Sequence, residues 1–240
     1  HKEHMESFDE TMAHVRSLVL DAVISQTVSD VPIGTFLSGG LDSSLISAIC
    51  ARQIADENKI LPTFSLDFRD NQKYFVSGKF QPESDNSYIE IMRKTLNNQH
   101  FWTVLSTDDL ICSMEDATRA RDLPGMADVD FSLLAFCGNI RKEVKVALSG
   151  ECADEIFGGY PWFRDPDVLA TQGFPWAQNT KFRASILHPD IRLDGEAFVR
   201  SRYEASVAEA DILPENSQSE RQMKQMVHLS TFQVLHLFYV

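Results

Sequence analysis

At 240 residues the chain has room for one sizeable core and a second, small helical lobe. A net charge of −13 argues against nucleic acid as the main partner, and no apolar run approaches a membrane span or opens the chain as a signal peptide. Cys50, Cys112, Cys137 and Cys152 have neither metal-ligand nor redox spacing, which points to free thiols in a reducing cytoplasm.

Phe8 to Val28 carries Met12, Val15, Val19 and Val23 at helical spacing and reads as a leading helix, with His1 and His4 before it as linker. Val31 to Leu37 is a short buried strand. It runs into Ser38-Gly39-Gly40-Leu41-Asp42-Ser43-Ser44, and a helix follows to about Ala55. The paired glycines let the backbone fold tightly, so that several N–H groups point into one concavity. Ser43 and Ser44 stand at the helix start, where hydroxyls and unpaired N–H groups favour an anion. Asp42 would repel a phosphate there unless a divalent cation lay between them. The loop therefore reads as a pyrophosphate site with a magnesium ligand built in. A plain strand-turn-helix corner accounts for the capping hydroxyls, but not for adjacent glycines beside a strand-end carboxylate. No lysine follows the glycines, so this is not the G-x-x-x-x-G-K-[ST] loop, nor is it G-x-G-x-x-G.

Leu61 to Phe68 is the second strand. Asn71 to Ser87, polar and holding Gly78 and Pro82, is an excursion that reads equally as a flap over a nucleotide or as a surface insertion. Ser87 to Asn97 is helical, Phe101 to Leu105 is the third strand, and Asp108 to Arg121 and Phe131 to Glu143 are helices flanking a Pro-Gly turn. Val144 to Leu148 is the fourth strand, and it too runs into a Ser-Gly pair: Ser149-Gly150-Glu151-Cys152-Ala153-Asp154-Glu155, closing on Gly158-Gly159-Tyr160.

If the first and fourth strands are neighbours at a topological switch point, their two loops face one crevice. Asp42 and Asp154 can then hold one Mg²⁺ while Glu151 points at the reacting centre. A solvated acidic helix start would explain one of Glu151, Asp154 and Glu155, but not the Ser-Gly prefix. Cys152 reads as a small packed residue rather than a nucleophile, since no histidine is near it in sequence. Beyond Tyr160 no strand is clear. Asp190 to Gly195 reads as a turn, Glu196 to Ala210 and Ser217 onward as helices, and His228 and His236 as packed histidines. The alternation implies an α/β fold, a parallel twisted sheet with helices on both faces, followed by a helical C-terminal segment.

The first loop resembles the SGGxDS loop of ATP pyrophosphatases. The two loops together resemble those of the asparagine synthetase family, in the synthetase domain that follows its glutaminase domain. The likeness runs from about Phe8 to Tyr160 and is looser past Phe163. It implies a linker and leading helix over 1–30, an ATP-pyrophosphatase-like α/β core over 31–160, and a helical segment over 161–240 that continues beyond the chain. It also implies a cytoplasmic ligase that uses ATP and Mg²⁺ to adenylate the aspartate side-chain carboxylate, then amidates it with ammonia from a glutaminase domain outside this chain.

By this resemblance Leu37, Ser38, Gly39, Gly40, Asp42, Ser43, Ser44, Leu66, Ser149 and Gly150 bind the nucleotide. Asp42 and Asp154 bind the metal, and Glu151 is the catalytic carboxylate. Both leucines read equally as core residues. The chain has no N-terminal Met-Cys pair and ends on the apolar stretch Val234 to Val240, which reads as a fragment. Neither loop contains a basic residue, so these 240 residues are expected to bind nucleotide weakly and to make no asparagine. Self-association of the full-length protein stays open. The stretch Arg121 to Asp130 resembles one bacterial branch, yet Pro124 to Asp130 contributes Asp128 and Asp130 and no arginine. The alternatives are a β-lactam-forming or other amidating relative acting on a different carboxylate, and a non-catalytic nucleotide-binding module.

Overall fold

A computed structural model describes residues 5–56, 58–78, 83–123, 125–163, 165–170, 173–188, 190–191, 194–210, 216 and 218–228. Expectations for His1, His4, Pro82, Pro124, His236 and the apolar end fall outside them, as does the side chain of Asp128. The chain divides into two compact units, His1–Gly150 and Glu151–Val240.

The first unit opens with α1 (Phe8–Gln26), begun by a capping box in which the Ser7 amide donates to Glu10 and the Glu10 amide donates to Ser7. It continues with β1 (Ile33–Phe36), α2 (Leu41–Ala55), β2 (Leu61–Phe68), the single turn α3 (Asn71–Tyr74), α4 (Asn86–Thr95) and β3 (Asn98–Leu105). Helices α5 (Thr107–Arg121) and α6 (Ala127–Glu143) follow, then β4 (Val146–Leu148). Ser106 and Asp109 cap α5 reciprocally, as Ser7 and Glu10 cap α1.

The strands form one parallel sheet in the order β3-β2-β1-β4. Alternate side chains on each strand feed opposite faces. Phe36, Phe64, Leu66, Phe101 and Ala147 pack with Phe136, Ile140 and Val144 of the α6 region. On the other face Leu61 and Leu148 pack with Cys50 and Ala51 of α2 and Val23 of α1. Both faces are covered, as a parallel sheet requires. The sheet starts at β1, proceeds outward through β2 and β3, and returns to add β4 on the other side of β1. The chain thus winds away from β1 in both directions, which makes the C-terminal ends of β1 and β4 a topological switch point.

The apolar pattern starts the third strand at Phe101, whereas β3 begins at Asn98. Its added residues are polar and continue the pairing with β2, Asn98 opposite Leu61 and His100 opposite Thr63, and the Thr63 side chain also bonds Asn98, at 3.1 Å, and His100, at 2.9 Å. Helix α6 likewise begins at Ala127 rather than Phe131.

The second unit comprises α7 (Ala153–Phe157), a 3-10 turn at Pro161–Phe163, α8 (Pro166–Ala170), α9 (Thr180–Ile186), α10 (Gly195–Ala208) and α11 (Gln218–His228). Helix α9 packs on α10, and α11 on α8. A chain of aromatic contacts runs through it: Tyr160 stacks on Trp162 at 4.2 Å, Trp162 meets Trp176, and Phe174 touches both Trp176 and Tyr203. His228 is packed, its side chain 14% exposed and 3.7 Å from a Glu209 oxygen.

Candidate functional site

The pairing of β1 with β4, Thr35 opposite Leu148, brings the ends of these strands level. Ser38–Ser44 leaves one end and Ser149–Gly150 leaves the other. The two loops touch: a methyl group built on Gly150 would stand 3.1 Å from the Asp42 Cβ and 3.1 Å from the Ser43 nitrogen. A side chain at this position would make the start of α2 give way by a few tenths of an ångström, which a glycine avoids.

The first loop is held from several sides. The Leu37 amide donates to the Phe64 carbonyl at 2.8 Å, and the Ser65 hydroxyl donates to the Leu37 carbonyl. Leu37 is 1% exposed, so its side chain is core and both its backbone groups are engaged by β2. Leu66 packs against the α6-facing cluster. For both leucines the structure shows the core position that the sequence left as their alternative.

Gly39 takes a φ of 81°, a left-handed conformation that glycine adopts without strain. A Cβ on it would stand 2.8 Å from the Asp85 carbonyl oxygen and 3.2 Å from the Ile89 nitrogen, so the first turn of α4 walls the loop. Gly40 is the N-cap of α2 in extended conformation and gives no side-chain cap. The first amides of α2 are those that a helix leaves without an internal partner.

Ser43 plays a different part from the one its position suggests. Its hydroxyl accepts from the Ser38 amide at 3.1 Å, lies 2.9 Å from the Ser38 hydroxyl and donates to the Gly40 carbonyl at 3.2 Å. Its oxygen is thus surrounded by partners within the loop, and the residue is 6% exposed. Ser43 braces the loop from within. Ser38 is exposed, while Asp42 and Ser44 are half-buried.

Within the second unit Glu151 is exposed and Asp154 is half-buried in α7. Cys152 precedes α7 with a φ of 70°. Burial pushes its thiol up, as do the Glu155 and Glu151 charges, which keeps it protonated and argues against a thiolate nucleophile. Glu155, 5% exposed, accepts from the Tyr160 hydroxyl at 3.0 Å. Burial and this bond hold the Tyr160 phenol well above its ordinary range. Asp42 belongs to the first unit, Glu151 and Asp154 to the second. Among the described residues no group of three or more His, Cys, Asp or Glu side chains gathers as a metal cage.

Asp130, 8% exposed, accepts from the Arg121 guanidinium at 2.6 Å. The segment before β4 therefore commits this carboxylate to an arginine just upstream of it.

The reading of motifs passed over Asp67. One of its oxygens accepts from the Phe68 amide at 2.8 Å and the Asn71 side chain at 2.8 Å, and the other accepts from the Asn86 side chain at 2.9 Å. A carboxylate at a strand's C-terminal end was the available signal; its partner Asn86 lies too far along the chain to be read.

A family model described as asparagine synthase matches residues 14–238. The chain is 47% identical over 232 residues to glutamine-hydrolyzing asparagine synthetase 3 of Bacillus subtilis (strain 168), covering 95% of this chain and 38% of that protein. It is 32% identical over 161 residues to asparagine synthetase 1 of the same organism, covering 66% of this chain and 23% of that one. A putative asparagine synthetase of Methanocaldococcus jannaschii is 34% identical over 145 residues, 60% of this chain and 26% of its own length. The chain thus spans less than two fifths of these relatives.

Proposed function

We propose a function from a plain premise: the chain belongs to the asparagine synthase family. The reading is that it forms the synthetase part of a glutamine-hydrolyzing asparagine synthetase, a ligase of amino-acid biosynthesis. One observation carries it. The Ser38–Ser44 loop and the Ser149–Gly150 loop leave neighbouring parallel strands at a switch point and lie in direct contact. This is where open α/β sheets bind nucleotides.

In the whole protein the aspartate side-chain carboxylate attacks the α-phosphorus of ATP, forming β-aspartyl-AMP and expelling pyrophosphate. Ammonia, released from glutamine by a glutaminase domain, then displaces AMP to give asparagine. The unpaired amides at the start of α2 and the tight turn at Gly39 and Gly40 receive phosphate oxygens. Ser38 and Ser44 lie at that rim, and Ser43 holds its shape. Ser149 and Gly150 bound it from β4. Glu151 takes a proton from the attacking ammonia.

Asp42 and Asp154 are the proposed Mg²⁺ ligands. Hard carboxylate oxygens suit the ion, and one or two of them with phosphate oxygens make up an ordinary magnesium site, without a larger acidic cage. Bound there, Mg²⁺ supplies positive charge against the departing pyrophosphate.

Cys50, Cys112, Cys137 and Cys152 form no disulfide among the described residues, and no helix among those residues is long and apolar enough to cross a membrane. The cysteines left unlinked support a cytoplasmic setting. A second reading, an acceptor acid other than aspartate, is favoured because Pro124 to Asp130 holds no lysine or arginine and the nearby Arg121 is paired with Asp130. Exchange of labelled pyrophosphate into ATP by the full-length protein, with a panel of acids, tests both. Exchange that requires aspartate supports the first, exchange that requires another acid supports the second, and none with any acid favours a non-catalytic nucleotide-binding module.

A further inference from the structure

We propose that Asp67 and Asn86 form a positioning pair that sets the Ser38–Ser44 loop. The carboxylate at the end of β2 fixes the first turn of α4, and that turn is the wall against which Gly39 closes. The purpose assigned to the pair rests on the reading of this loop as a phosphate site.

The argument begins with donors and acceptors. An ionised carboxylate only accepts, so the Asn86 amide must turn its nitrogen toward Asp67, as the 2.9 Å bond has it. The other Asp67 oxygen is filled by the Phe68 amide and the Asn71 side chain, each at 2.8 Å. Three neutral N–H groups thus share one half-buried negative charge. That charge is taken up by three donors at the end of β2, beside the anion cradle at the end of the neighbouring strand β1.

The second step is from Asn86 to the loop. Asn86 is the first residue of α4, and the carbonyl of its neighbour Asp85 accepts from the Tyr88 and Ile89 amides at 3.0 Å each. The same Asp85 oxygen lies 2.8 Å from where a Gly39 Cβ would be, and the Tyr88 Cβ and Ile89 nitrogen lie 3.1 and 3.2 Å from that point. Ile89 is 1% exposed and anchors the turn below. The α4 start thus leaves room at Gly39 for a hydrogen but not for a methyl, so a shift of that turn toward the loop is felt there. β2 holds the loop from the other side through Phe64 and Ser65. Asp67 is the last residue but one of that same strand and so ties both walls together.

Reversing the polarity of the pair tests this. Asn86→Asp sets two carboxylates against each other, and flipping either about its terminal bond offers no donor. Asp67→Asn combined with Asn86→Asp rebuilds an amide–carboxylate pair the other way round, with the amide oxygen now at position 67 still accepting from Phe68 and Asn71. In the full-length protein, Asn86→Asp is expected to speed hydrogen exchange at residues 38–44 and 85–89 roughly tenfold, and to raise KM for ATP about tenfold with a smaller change in kcat. The double variant is expected to restore both. If Asn86→Asp proves insoluble, Asn86→Ala, which removes the donor without adding charge, reads the same amides.

Unchanged exchange at 38–44 in the single variant overturns the proposal, as does a double variant no better than the single. If the wild type exchanges pyrophosphate with no acid while the amide results hold, the proposed function fails and the pair stands.

Discussion

Gly150 lies against Asp42, close enough that one added methyl would stand 3.1 Å from the aspartate Cβ. Two loops more than a hundred residues apart in sequence are thereby joined at the point where the family chemistry is expected. The contact is backbone against the first turn of a helix, so it has little freedom to yield.

Gly150→Ala should therefore destabilise the first unit by about 1–3 kcal/mol, the usual range for overpacking. It should also weaken ATP binding by parting the loops. Chemical denaturation and calorimetry with ATP and Mg²⁺ check the two effects. Wild-type stability with wild-type affinity would mean that the loops separate at no cost.

Ser43→Ala removes a hydroxyl that accepts from Ser38 and donates to Gly40 inside a nearly closed loop. Leaving the Ser38 amide and the Gly40 carbonyl without it should cost about 1–3 kcal/mol. Ser44→Ala, at a half-buried position, should cost less. The ordering in thermal melts is the measurement. Equal losses would place Ser43 among the ligand groups and not the loop's braces.

Much of this was legible in the residues themselves, and what was not has a physical cause. Leu61 to Phe68 could be read to its ends because it is apolar and bounded by turns, and it matches β2. The Gly39-Gly40 turn announced a tight loop, since few other residues accept a φ of 81°. The contact between the two Ser-Gly loops was only conditional, because strand order is a non-local property, and β1 beside β4 settles that condition. Asn98 and His100 were left out of the third strand because they are polar and apolar patterning does not register them, although both pair with β2 and bond the Thr63 side chain. Helix α9 went unnoticed because it exposes Phe182 and Ile186 and so carries no stripe that separates a core face from solvent. Whether Ser43 turns its hydroxyl inward or outward depends on a rotamer, and Asp67 depends on a partner 19 residues away.

Glu151→Gln separates chemistry from structure. The residue is exposed and opens the second unit, so its amide counterpart should melt within a degree or two of the wild type. As a general base it should carry roughly 10²-fold or more of the turnover of the full-length enzyme. A helix-start charge alone would contribute about 0.3–1 kcal/mol to stability and little to rate. Near-normal turnover with a lowered melting temperature would assign Glu151 to the second role.

The last prediction concerns His100 and pH. Asn98 donates its side-chain N–H groups to the Arg93 and Leu96 carbonyls, so its oxygen faces Thr63 and takes the Thr63 hydroxyl proton. Thr63 can then only accept from His100, which places the imidazole proton on Nδ1 and leaves Nε2 bare. That nitrogen is buried and meets no donor or acceptor among the described residues. Protonating it would create an N–H with nowhere to donate, in a partly desolvated site. Burial accordingly pushes the His100 pKa below its ordinary value of 6.5, Arg93 pushes it further, and Glu90 offsets part of this. The unfolded chain therefore takes up the proton first. The contribution to stability is fully present above about pH 6.5 and is lost as pH falls from there through the depressed folded value. Denaturation midpoints taken between pH 8 and 5 should decline on the acid side, with a shallower decline in His100→Gln, and the His100 ring resonance should titrate below 6.5. A ring that titrates at or above 6.5 would show that Nε2 finds an acceptor on protonation, and with it the loss of stability on the acid side would fall.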